Sequence, residues 1–442
     1  MSHHALLAPL ALVIAMSATD PGSSPLAQAS SAEDALLKQA RVIHEKVITL
    51  DTHIDFSPAD LAGERNYTQR LETQFNLPKM IDGGLDALFF SIYVRQTREA
   101  QNPDAFKPAG YEGAYKAAIE KFDAVHRFTR EIAPDKIELA LTAADVRRIN
   151  AQGKKVALMG VENGYPIGED IARVKEFYDR GARYMSLTHN GHSQLADSQT
   201  GEQDGWKWNG PSPLGKQVIA EMNRLGIMVD VSHASKDSMM QTAALSKAPI
   251  IASHSAVRML CDVSRNMDDE QLLALKKTGG VIQVVAYSSF VKTTKPDSAE
   301  RTAALAAARK EHGLPEPTGP GQRARFQAAL TQLPADQRAE YEKKLAEIDK
   351  QHPGDPPATL KDFVDHIDYA VKLIGIDHVG ISSDFDGGGG VIGWNDASET
   401  FNVTLELVRR SYTEDQIEKL WGGNLLRVMD EVQRIAAELQ KN

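Results

Sequence analysis

His378-Val379-Gly380-Ile381-Ser382-Ser383-Asp384-Phe385-Asp386-Gly387 is a short apolar run that stops in a turn carrying two carboxylates. A run this short and apolar reads as a strand covered on both faces, the kind found in parallel α/β sheets. The pattern recurs upstream, with apolar, β-branched runs at 47–51, 87–94, 155–161, 182–187, 228–231, 249–252 and 280–286. Helical periodicity fills the intervals at 34–46, 111–132, 167–180, 215–225, 268–278, 360–374 and 413–432. Eight strands alternating with helices is the number that closes a (β/α)8 barrel.

An open doubly wound sheet also alternates, so the polar residues must decide. In a barrel, active groups sit at the C-terminal ends of many strands; an open sheet gathers them at one switch point. Here the runs end in Asp51-Thr52-His53-Ile54-Asp55, Gly160-Val161-Glu162-Asn163-Gly164, Leu187-Thr188-His189-Asn190, Asp230-Val231-Ser232-His233, Ser253-His254-Ser255, Tyr287 and Ser383-Asp384-Phe385-Asp386-Gly387. Seven of eight ends offer chemistry, which predicts a TIM barrel.

Composition agrees with a globular enzyme-sized domain: 442 residues, 42% apolar and 25% charged, which excludes collagen, pervasive disorder and a multispan membrane protein. A net charge of −10 opposes a phosphate backbone, so no nucleic-acid partner is expected. The single cysteine, Cys261, cannot form an internal disulfide and reads as a small buried hydrophobe. The apolar run 5–18, followed by Ala27-Gln28-Ala29, reads as a leader over 1–29 with its cleavage site. The mature chain, 30–442, is then expected in a bacterial periplasm or outside the cell, with no membrane span after the leader is removed. Within it, 293–357 is rich in Ala, Gln, Glu, Lys and Arg and reads as a helical insertion after the seventh run, with Tyr341, Leu345 and Ile348 forming one apolar stripe. It is either a solvated attachment or a lid over the barrel mouth.

His53-x-Asp55 sets an imidazole and a carboxylate two residues apart, on one face of a strand. Both suit Zn²⁺, and His233 and His254, from neighbouring strand ends, supply a second imidazole pair. Glu162 is placed to bridge two ions, and a two-ion site activates water while polarising a carbonyl, as amide hydrolysis requires. Asp384 is the expected proton carrier. His189 is expected to stabilise an oxyanion, and Arg265 with Tyr287 to hold a substrate carboxylate. His44, His126, His312, His352 and His366 fall in helical or linker patterns, His378 begins a strand at the opposite end of the barrel, and His192 lies in the loop after the fourth run.

These motifs, with Thr73-Gln74-Phe75-Asn76-Leu77-Pro78 and Glu221-Met222-Asn223-Arg224-Leu225-Gly226, resemble those of the membrane (renal-type) dipeptidase family of zinc hydrolases over most of the mature chain. The resemblance implies two zinc ions per chain, the first held by His53 and Asp55, the second by His233 and His254, with Glu162 between them. It places His189, Arg265, Tyr287 and Asp384 at substrate-binding and acid/base positions. It further implies cleavage of dipeptides, including those with a D-residue on the C-terminal side, and a homodimer. Thr52, Ile54, Asn163-Gly164-Tyr165 and Ala286-Tyr287-Ser288-Ser289 depart from the family's usual residues, as does the long insertion, so the ligands transfer more firmly than the substrate. Two alternatives are an exported tailoring enzyme acting on a secondary-metabolite or siderophore precursor, and a periplasmic binding protein with a structural metal. An intact Asp384 speaks against the latter.

Overall fold

The computed structural model describes residues 25–61, 64–317 and 332–441, together with 326, 329 and 330. The expected leader lies outside them but for its last five residues, which begin a helix at Pro25–Lys46. Nine parallel strands follow: β1 (Leu50–Ile54), β2 (Ala87–Ser91), β3 (Ile137–Leu139), β4 (Lys155–Val161), β5 (Ala182–Ser186), β6 (Met228–Asp230), β7 (Ile250–Ser255), β8 (Val281–Val285) and β9 (Val379–Ser382). Eight of them pair in the order β1-β2-β4-β5-β6-β7-β8-β9.

The ring is nearly closed, and its seam is tied at the mouth. Asp384 N–H donates to His53 O (3.1 Å), Asp55 N–H to Phe385 O (2.8 Å) and Thr52 Oγ1 to Ile381 O (2.9 Å). The result is the expected (β/α)8 barrel. The extra strand β3 pairs with Lys155–Ala157 of β4, ahead of Met159, where β5 takes up that edge.

Local chemistry explains most boundaries. Ser212 accepts from Gly215 N–H to start the helix Pro213–Leu225, and Gly226, at φ +90°, ends it in the left-handed conformation. Thr359 with Asp362 and Asp268 with Gln271 form capping boxes on Leu360–Ile374 and Asp269–Lys277. The first strand lies three residues beyond the expected 47–51, because Val47 N–H still bonds to Ile43 O and continues the preceding helix. The long helix expected at 413–432 is three pieces, Glu414–Glu418, a wider turn over Lys419–Gly423, and Asn424–Leu439.

Side chains alternate along a strand, so each strand serves two cores. Leu88, Phe90, Met159, Val229 and Ile282 pack among the outer helices. Phe89, Leu158, Tyr184, Met228, Ile251 and Val281 form a second cluster, to which Val428, Met429 and Val432 of the last helix belong. Each of these larger side chains contributes roughly 1.5–3 kcal/mol by burial. The face that carries Leu158 also carries Glu162 four residues on, so this apolar layer is the floor of the site. The segment after β8 folds into the helices Ala299–Glu311 and Ala335–Gln351, whose apolar residues, among them Leu305, Ala308, Tyr341 and Ile348, form a small core of their own.

Candidate metal centre and active site

Glu162, at the end of β4, is buried in the middle of the mouth, and four histidines surround its carboxylate. Its Oε2 lies 3.3 Å from His53 Nε2, while its Oε1 lies 3.1 Å from His233 Nε2, 3.4 Å from His254 Nε2 and 3.6 Å from His189 Nε2. Asp55 Oδ2 is 3.8 Å from His53 Nε2. Three overlapping groups of ligand atoms result: His53, Glu162 and His254; Glu162, His189 and His233; and His53, Asp55 and Asp384. The structure thus brings together all five residues expected as ligands, with His189 and Asp384 beside them.

The outer nitrogen of each of three imidazoles is committed elsewhere. His53 Nδ1 donates to Tyr184 Oη (2.9 Å), which itself donates to Thr52 O (3.2 Å). His254 Nδ1 donates to Ser253 Oγ (2.8 Å), whose hydroxyl proton goes to Asp230 Oδ2 (2.6 Å). His233 Nδ1 donates to Asn190 Oδ1 (3.2 Å). With these tautomers assigned from their partners, every Nε2 presents a lone pair inward. His53 Nε2 makes no hydrogen bond, and the Nε2 atoms of His233 and His254 face one another at 3.0 Å. Two opposed lone pairs repel, and a cation among them removes the conflict, so the donor set fits divalent metal.

Electrostatics point the same way. Burial pushes His233 and His254 well below the ordinary imidazole value, and nearby Arg265 adds to this, which keeps both neutral as ligands must be. Burial also disfavours the Glu162 carboxylate, but positive charge beside it outweighs this and holds the group ionised: a protonated His53, whose own pKa stands well above the ordinary imidazole value, or a cation in its place. Asp384 is driven well above the usual carboxylate range, first by burial and then by Asp55 and Glu162, although His53 and Arg265 oppose the shift. A carboxyl so placed can carry a proton near neutral pH.

Backbone strain concentrates here. His233 (φ +66°), Asp384 (φ +59°) and Asp386 (φ +60°) occupy the left-handed region without being glycine. The pairing of β1 and of β7 slips at 51–54 and 252–255, the segments that deliver His53 and His254. Gly387 is required by contact: a Cβ there would lie 2.2 Å from Asp384 Oδ1 and 2.3 Å from Asp55 Oδ2. Gly160 is required likewise, since its Cβ would lie 2.0 Å from Cζ of Tyr184.

A cavity of about 890 Å³ opens over the centre, lined by His189, Arg265, Tyr287, Asp384, Asp55 and Glu162 among others. Arg265 is buried, donating to Ser255 Oγ (2.9 Å) and His254 O (2.7 Å), and its Nε has no partner. Burial draws it down to about 10, so it remains cationic at neutral pH. Tyr287 stacks on Phe290 at 4.2 Å. His189 packs between Tyr93 (4.7 Å) and His233 (4.3 Å), and burial keeps it neutral.

The family described as membrane dipeptidase, peptidase family M19, matches residues 37–442. The chain belongs to the membrane dipeptidase family. Among curated relatives of this M19 chain, dipeptidase aclJ of Aspergillus oryzae is 29% identical over 410 residues, covering 89% of this chain and 81% of that protein. Dipeptidase tcpJ of Claviceps purpurea is 29% identical over 371 residues, covering 84% and 72%. The crystal structure of the probable dipeptidase PvdM from Pseudomonas aeruginosa is 35% identical, with a TM-score of 0.72 over 91% of this chain and 99% of that one. A metallopeptidase of Rhodobacter sphaeroides, at 22% identity and a TM-score of 0.63, shares the fold over 87% of this chain and 99% of its own. The enzyme is therefore an M19 metallodipeptidase, a hydrolase acting on peptide bonds. Despite the family's name, no helix among the described residues is long and apolar enough to cross a membrane.

Other sequence expectations resolve at the residue level. His192 braces its own loop, accepting from Ser198 N–H at Nδ1 with Nε2 toward Gly205 O, while Asp197 gathers the N–H groups of Lys207, Trp208 and Asn209. Cys261 is buried beside Ser289 O and Thr293. His378 bonds to Gly280 O, away from the mouth. Asn190, Asp230 and Ser253 stand in the strand-end motifs without an expected role, and Tyr184 stands in none; all four hold the imidazoles of His53, His233 and His254 in place.

Proposed function

We propose that this chain is an exported, homodimeric dipeptidase with two zinc ions per subunit, cleaving dipeptides that include those with a D-residue on the C-terminal side. The observation that carries the two-ion reading is Glu162, whose two oxygens face separate imidazole sets, His53 on one side and His233 with His254 on the other. His53 and Asp55 would hold one ion and His233 and His254 the other, with Glu162 shared. Bound there, zinc supplies a water of lowered pKa and a Lewis acid for the scissile carbonyl.

The remaining work belongs to side chains. Arg265, with Tyr287 beside it, binds the terminal carboxylate and fixes the scissile bond over Glu162. His189, kept neutral by burial, donates its N–H to the oxygen that becomes anionic as the carbonyl carbon turns tetrahedral. Asp384 accepts the proton of the attacking water at a carboxylate oxygen and delivers it to the leaving nitrogen, so the products are a carboxylate and a free amine. The buried floor of Phe89, Leu158 and Tyr184 keeps bulk water from the far side.

The test is direct. Protein loaded with two equivalents of zinc should cut a panel of L,L and L,D dipeptides, and His233→Ala should lose both metal and turnover. Uncut dipeptides, with His233→Ala indistinguishable from the parent, overturn the proposal.

A further inference from the structure

The cavity has a second cationic end that the proposed mechanism leaves unused. Arg265, Tyr287 and Phe290 line it from the side of β7 and β8; Phe56, Tyr93, Arg95 and Lys121 line it from the side of β1 and β2. Lys121 reaches in from the helix Pro108–Arg127. Its Nζ donates to Phe56 O (3.1 Å) and Ser91 O (3.3 Å) and lies 4.5 Å above the Phe56 ring. An ammonium has three N–H groups, and no described carboxylate lies within ion-pair distance of this one. Two carbonyls and a ring offset only part of the cost of drawing this charge away from water, and burial accordingly lowers its pKa.

Arg95 stands on the loop that follows β2. Among the described residues it has no ion pair or hydrogen bond, unlike its neighbour Arg98, which is paired with Asp204 at 2.9 Å. The loop is nevertheless fixed, because Gln96 accepts from Asn163 Nδ2 (2.8 Å) and donates to His192 O (2.6 Å). Arg95 is thus anchored at the cavity wall by its neighbour, with its guanidinium uncommitted.

Resting on the dipeptidase reading, we infer that Arg95 and Lys121 form a carboxylate-binding subsite for the residue on the amino-terminal side of the scissile bond, selecting aspartyl and glutamyl dipeptides. Substrate is then held at both ends, its terminal carboxylate by Arg265 and its acidic side chain by Arg95 and Lys121, with the reacting carbonyl over Glu162 between them. A fork-shaped guanidinium and a point-charge ammonium together satisfy both oxygens of one carboxylate. A neutral isostere such as glutamine leaves the two cations unanswered, and that difference generates selectivity.

The experiment compares glutamyl-alanine with glutaminyl-alanine on the zinc-loaded enzyme. The parent should favour the glutamyl substrate in kcat/KM by roughly 10-fold or more. Arg95→Gln, an exposed loop change compatible with folding, should bring that ratio toward one, and Arg95→Glu should shift preference toward lysyl-alanine. Lys121→Met, checked for an unaltered thermal midpoint, should also lower the ratio. A parent ratio near one, or a ratio that Arg95→Gln leaves untouched, overturns the subsite. Dissociation constants of the two dipeptides for Asp384→Asn separate the two readings. Tighter glutamyl binding without turnover by the parent would sink the peptidase reading and keep the subsite; equal binding sinks the subsite.

Discussion

The barrel mouth and the helical hairpin after β8 are both crowded with ionisable side chains, yet they put charge to opposite uses. In the hairpin, Arg301 pairs with Asp297 and Asp349, Arg309 with Glu316, and Lys344 with Glu311, with water on at least one side of each pair. Such pairs are satisfied and contribute little. At the mouth, Glu162, His53, His233, His254, Arg265 and Asp384 are buried, and two of their atoms, His53 Nε2 and Arg265 Nε, lack a protein partner. Charge composition does not distinguish the two regions. Burial with convergence does, because only there does a charge remain available to a ligand.

The largest break in this comparison is expected from Glu162→Gln. It removes the carboxylate that the imidazoles surround, so metal content should fall and dipeptide hydrolysis drop to background; full metal occupancy in the variant would refute a shared carboxylate. Asp384→Asn should retain metal while losing about 10²–10⁴-fold in kcat, since it removes the proposed proton carrier. Joint loss of metal and rate would instead make Asp384 a ligand. A smaller effect is expected from Tyr184→Phe, which leaves the ring in place beside Gly160 but frees His53 Nδ1. Metal affinity, read by competition with a chelator, should weaken by roughly 10–100-fold, and unchanged affinity would show that the hydroxyl does not orient the ligand. Smallest of all is Lys344→Ala in the hairpin, which should leave thermal midpoint and kcat/KM as in the parent. A clear fall in kcat/KM would show that the hairpin works as a lid, and would erase the contrast between the two regions.

Much of the barrel was legible because each strand is short, apolar and bounded by a helical pattern, and because its polar residues gather at one end. β3 was not, since three residues carry no periodicity and its pairing depends on the edge of β4 left open before Met159. The start of β1 was misplaced because apolar residues at 47–50 fit a helix end and a strand equally well, and the hydrogen bond from Val47 to Ile43 decides between them. The residues expected as ligands converge as expected, and each was visible at a strand end in a short motif. Their supports were not: Tyr184 reads as an ordinary core aromatic, and Arg95 and Lys121 as ordinary surface cations.

The order of strands and helices, the ligand types and their placement on successive strand ends are fixed by local pattern, because periodicity and strand polarity are properties of the chain itself. Convergence is not such a property. That Glu162 turns one oxygen to His53 and the other to His233 and His254, that Gly387 lets Asp55 and Asp384 approach, and that Lys121 finds no acid, follow from a ring that brings β1 beside β9 across more than three hundred residues. Distances of that kind arise only when the barrel closes, since the seam hydrogen bonds set the mutual position of strand ends that sequence leaves independent.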